Sequence, residues 1–139
     1  MRKYTILAAV VAALGLSAVA VAANPHFVGA PTVSTANGAL TVSGKIAGLG
    51  NKDVTVVVDA TAVVTCENRG GNVPPGQTET VSGSVSNLRP ENGQVVFSVT
   101  TAQVSDPCPG PMTPTVDFTS ATISVFQGGR LVLQQTFQV

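Results

Sequence analysis

The chain has 139 residues, seven Lys or Arg against seven Asp or Glu, a single His, and no Trp. That is enough chain for one domain with its own core. The balanced charge leaves no basic cluster to track phosphates, and the shortage of aromatic platforms argues against stacking on bases or sugar rings, so nucleic acid is excluded as an expected partner.

In chain order, Met1-Arg2-Lys3 is a short basic start, Ile6 to Val21 is almost wholly apolar, and Ala20-Val21-Ala22 has the small-x-small pattern of a signal peptidase site. These features predict a secretory signal peptide over residues 1–22, cleaved before Ala23, and a secreted, extracellular location. The alternative is an uncleaved anchor, since the apolar run is about long enough to span a bilayer. Residues 23–139 then form one β domain with five basic and seven acidic residues, a net charge of −2. No second apolar segment follows, so no membrane contact is expected after cleavage.

Beyond Asn24 the chain is rich in Val, Thr and Ser and punctuated by Gly and Pro, the residues of strands and turns. Side chains of a strand alternate between its two faces, so period-2 alternation marks strands with one buried face. It runs through Leu40 to Ile46, Val54 to Cys66, Val81 to Val85, Val95 to Val99 and Leu131 to Val139. Strands are predicted at about 27–35, 39–48, 53–66, 78–88, 94–103, 115–127 and 130–139. Turn residues separate them, including Asn37-Gly38, Glu91-Asn92-Gly93 and Gly128-Gly129. In the sixth strand Val116 and Phe118 fall on even positions, whereas Ala121, Ile123 and Val125 fall on odd ones. Such a one-residue phase change predicts a β-bulge near Thr119-Ser120, or a strand that switches sheets. The predicted fold is all-β: an Ig-like antiparallel β-sandwich of about seven strands with one disulfide. A small β-barrel is the alternative.

The two cysteines support that disulfide. Cys66 is in phase with the buried face of the third predicted strand, and Cys108 lies in the loop after the fifth. If strands three to five run up, down and up, both arrive at the same end of the sandwich. Closing the intervening loop of roughly 40 residues is worth about 4 kcal/mol by chain entropy. An intermolecular bridge or a reactive thiol is the alternative pairing.

The same end carries the two longest loops, Glu67 to Gln77 and Ser105 to Pro114, both stiffened by proline. Rigid loops at one end of a scaffold are common binding sites. The candidate binding residues are Glu67, Asn68, Arg69, Asn72, Asp106 and Met112. The other reading is that Pro and Gly simply close long loops. The pattern Cys66-x-Asn68-x-Gly70-Gly71-x-x-Pro74-Pro75-Gly76, after a Thr/Val-rich strand, resembles one found in a group of small secreted bacterial proteins of unknown function. The resemblance implies secretion and a β fold. The likeness to the immunoglobulin superfamily is looser, because the second cysteine lies in a Pro-rich loop and there is no core Trp.

Catalytic patterns are missing. His26, the only His, sits near the expected new N-terminus, and no Gly-x-Ser-x-Gly elbow occurs. A zinc site lacks ligands, and no calcium loop motif is present, so no cofactor and no metal are expected. Glu67 and Asp106 flank the two half-cystines and would be drawn together by the bond; a solvated acidic rim, neutralised by Arg69, is preferred to a cation site. Asp53 and Asp59 are six residues apart, about 20 Å along a strand, too far for an acid pair. The expectation is a secreted non-enzymatic module that binds an unknown extracellular partner or coats the cell surface. Its alternative is a self-associating structural subunit that pairs along the uncharged edge Leu131 to Val139.

Overall fold

A computed structural model describes residues 24–139 except Pro75. The expected leader, residues 1–22, and its cleavage junction lie outside the described residues.

The described chain is all-β. Its strands are β1 (His26–Phe27), β2 (Thr32–Ala36), β3 (Ala39–Ala47), β4 (Val54–Glu67), β5 (Gln77–Leu88), β6 (Val95–Thr100), β7 (Thr113–Gln127) and β8 (Arg130–Gln138). They form two antiparallel sheets, one in the order β5-β4-β7-β8 and one built on β3. Around β3, Ile46 faces Phe27 on one side and Val95 on the other, and Thr41 likewise faces Ser34 and Thr100. Strands β1 and β2 therefore lie end to end along one edge of β3, with β6 along the other. The sheets do not close on one another, so the fold is a sandwich and the barrel alternative is set aside.

The first predicted strand, 27–35, is corrected by this arrangement: it is two strands, and the count is eight. The chain leaves β3 after Val28, whose N–H still bonds Lys45 O at 2.9 Å. Gly29 then takes φ +74°, and Pro31 has no N–H to offer the ladder. Pairing resumes at Thr32.

The alternation in β4 reads out directly as burial. Val54, Val56, Val58, Ala60, Ala62, Val64 and Cys66 face the second sheet and are all buried. Val54 to Ala62 of this face pack with Leu40, Val42 and Ile46 of β3, Val95, Phe97 and Val99 of β6, and Phe118, Ala121, Ile123 and Val125 of β7. The predicted bulge is present. Thr61 pairs with Ser120 and Ala62 with Phe118, which leaves Thr119 as the extra residue. Its hydroxyl donates to Thr61 O at 3.3 Å, and its carbonyl accepts from Val139 N at 3.0 Å. The insertion moves the buried positions of β7 from even to odd numbers while keeping them all on the core side.

Three turns use two consecutive residues at positive φ: Asn37-Gly38, Asn92-Gly93 and Gly128-Gly129. Their twist matches that of paired strands, so each reverses the chain in two residues. Among the described residues, no helix is long and apolar enough to cross a membrane.

Candidate functional site

Strand β4 runs from a loop at one end, residues 48–53, to Cys66 at the other, and β7 returns antiparallel to it. Fourteen residues of β4 put the two ends about 45 Å apart. The Cys66–Cys108 bond forms as expected, with Cα atoms 5.5 Å apart. It fastens the segment that follows β6 to the last turn of core on β4, and so draws both long loops to one end.

Each loop is also held from within. The Asn68 side chain accepts the Asn72 N–H through Oδ1 at 3.0 Å, Asn68 N donates to Asn72 O at 3.1 Å, and Gly71 N donates to Asn68 O at 3.0 Å. Gly71, at φ +81°, supplies the left-handed residue that lets this turn close. On the other loop, Asp106 Oδ1 accepts from Cys108 N at 2.8 Å, and Met112 N donates to Pro109 O at 3.3 Å. Asn68 and Asp106 are thus used to shape the loops. Glu67, Arg69 and Asn72 point to solvent, and Met112 is half-buried.

The expected neutralisation of Glu67 or Asp106 by Arg69 does not occur. The one ion pair among the described residues is Arg89–Asp53, at 3.2 Å. The Glu67 carboxylate lies over Gly71, 3.9 Å from where a Cβ would stand there, while Asp106 is committed to the Cys108 amide. Among the described residues no three His, Cys, Asp or Glu side chains gather as a metal-ligand set. His26 is exposed, with Nδ1 2.9 Å from Asn24 O. Asp59 accepts from Ser82 Oγ at 2.5 Å, on the outer face of the sheet.

The opposite end carries features that sequence reasoning did not single out. A cleft of about 550 Å³ opens between the loop at residues 48–53 and the β7–β8 hairpin, lined by Pro25, Lys52, Gln127, Arg130 and Leu131. Gln127 builds one wall: its Nε2 donates to Leu49 O at 2.8 Å and to Lys52 O at 3.0 Å. A second cleft, about 370 Å³, is flanked by Lys45, Arg89 and Glu91. Four of the five described basic residues (Lys45, Lys52, Arg89 and Arg130) therefore share this end, with two acids, Asp53 and Glu91. The disulfide end has Glu67 and Asp106, with Glu79 and Asp117 four or five residues further in along the sheet opposite Ala62 and Val63, against Arg69 alone. The signal available in the sequence was charge beside turn residues: Lys52, Arg89 and Arg130 each sit at or next to a turn, and Lys45 lies two residues from the end of β3.

The outer faces of both sheets are paved with hydroxyls. Thr41 and Thr100 bond across β3 and β6 at 2.8 Å, Ser43 and Ser98 at 3.0 Å, and Thr122 and Thr136 bond across β7 and β8 at 2.7 Å. These cross-strand hydroxyl pairs favour strand geometry on the exposed faces.

No protein-family model matches the chain, and no curated protein matches it either.

Proposed function

We propose that this chain is a secreted, non-enzymatic β-sandwich module, Ig-like in its layering, that contacts an extracellular partner through the loops at its disulfide end. The observation that carries the reading is the Cys66–Cys108 bond. It fits an oxidising compartment, and it holds two internally bonded loops side by side with Glu67, Arg69, Asn72 and the rim of Asp106 outward. Loops already fixed in one shape lose little entropy on binding. The pattern from Cys66 to Gly76, with its likeness to small secreted bacterial proteins, belongs to the same reading.

The test is binding of the labelled protein to the envelope of the producing cells. Glu67→Ala/Arg69→Ala/Asn72→Ala removes outward side chains and leaves the bonds of Asn68 and Asp106 in place. It is expected to keep the wild-type melting temperature and lose envelope binding; undiminished binding would rule the loops out.

A second reading, a structural subunit that adds strands along an edge, is supported by the position of β8. It is an outer strand of its sheet with no charge after Arg130, and Leu131 is 49% exposed. Gln134→Lys should then abolish polymers, and polymers unchanged by it would remove this reading.

A further inference from the structure

The two ends of the sandwich are complementary to each other. The basic end is concave: Lys52 and Arg130 border a cleft of about 550 Å³, with the apolar side chain of Leu131 at its rim. The disulfide end is acidic, and its loop between β4 and β5 exposes an apolar residue, Val73, at 55%. Opposite charges about 45 Å apart on one molecule cannot neutralise each other, because that distance exceeds the Debye length of roughly 8 Å at physiological salt. On two molecules placed end to end they face one another.

We infer that the chain docks onto a second copy of itself head to tail, the acidic disulfide end of one molecule seated on the basic cleft of the next. The inference rests on the reading of the disulfide end as a contact surface and names its partner. The two contacting surfaces differ, so the interface is heterologous and can repeat from copy to copy. It uses the ends of the sandwich, and is therefore distinct from strand addition along β8. The charges that steer it are exposed, so the association is weak and strongly dependent on salt.

Sedimentation velocity on protein recovered from culture medium tests this. At about 10 mM salt, where the Debye length is roughly 30 Å, the wild-type sedimentation coefficient is expected to rise with protein concentration, and at about 1 M salt to fall to the monomer value. Lys52→Glu/Arg130→Glu and Glu67→Lys/Asp117→Lys each leave a molecule whose ends repel, and each alone should remain monomeric in low salt. All four positions are exposed or line the open cleft, and the melting temperature of each variant reports its folding. An equimolar mixture pairs the intact acidic end of the first variant with the intact basic end of the second, and is expected to restore association. Gln134→Lys should leave the association unchanged. A wild type that stays monomeric at low salt, variants that associate as the wild type does, or a mixture that stays monomeric would overturn the inference. If self-association fails while the loop variant still loses envelope binding, the second-copy inference falls and the contact surface stands.

Discussion

Gly83 occupies the tightest junction between the two sheets, and its replacement by alanine gives a direct measure of how they are joined. The residue lies on the inner face of β5 opposite Val58, between the half-buried Val81 and Val85. A Cβ at this position would overlap the carbonyl oxygen of Thr100 and stand 2.8 Å from its carbon and 2.9 Å from Thr101 Cα. All three are backbone atoms, so no side-chain rotation relieves the overlap. Strand β5 must instead move away from the end of β6, stretching the 3.0 Å bond from Ala102 N to Ser82 O. Forcing a methyl into packed backbone costs about 3 kcal/mol, the upper part of the usual range for overpacking. Restricting the unfolded chain returns up to about 1 kcal/mol. The net loss is about 2 kcal/mol, or a fall in Tm of about 8 °C for a domain of this size. Urea unfolding of Gly83→Ala beside the wild type reads this value. Ser84→Ala, on the exposed face one residue away, is the control and should change stability by less than about 0.5 kcal/mol. A Gly83→Ala protein as stable as the wild type would refute the close approach of the two sheets.

Three other outcomes are expected. Cys66→Ala/Cys108→Ala should lower stability by up to about 4 kcal/mol in urea unfolding, the loop-closure value, and expose the loop at residues 67–77 to proteolysis. Thr101 is 5% exposed, and its hydroxyl accepts from Leu40 N at 3.1 Å while donating to Ala102 O at 2.9 Å. Thr101→Val orphans the buried Leu40 amide and should cost about 2 kcal/mol in the same assay, with Thr101→Ser, which keeps the hydroxyl, closer to wild type. Arg89→Ala breaks the ion pair with Asp53, whose side chains are 77% and 47% exposed. Thermal melts should move by no more than about 0.5 kcal/mol allows, because such pairs are solvated and screened.

Much of the fold is legible in the sequence because burial follows strand parity so closely. The even positions of β4, from Val54 to Cys66, are all buried. The parity switch between Phe118 and Ala121 points to a bulge near Thr119-Ser120, and the register identifies Thr119 as the extra residue. The pairing of Cys66 with Cys108 follows from the same up-and-down logic. Parity could not show the break of the first predicted strand. That depends on Gly29 and Pro31 interrupting a ladder whose partner, β3, is known only once the sheet order is known. Nor could it show the clefts. They form where the loop at residues 48–53 meets the β7–β8 hairpin, a contact between segments far apart in sequence that Gln127 closes. The roles of Thr101 and Gly83 were hidden for the same reason: a buried hydroxyl and a missing side chain carry meaning only against the backbone they approach. The loop residues Asn68 and Asp106 were legible as candidates, and the structure divides them from Glu67, Arg69 and Asn72 by giving them intraloop bonds.

The proposed contact surface at the disulfide end can be read residue by residue. Hydrogen exchange of the backbone amides, measured on the protein alone and bound to the envelope of the producing cells, tests it most directly. Binding through the loops should confine new protection to residues 67–77 and 102–112, with the edge strands β2, β5 and β8 exchanging as they do in the free protein. Protection on those outer strands, with the two loops unchanged, would contradict it.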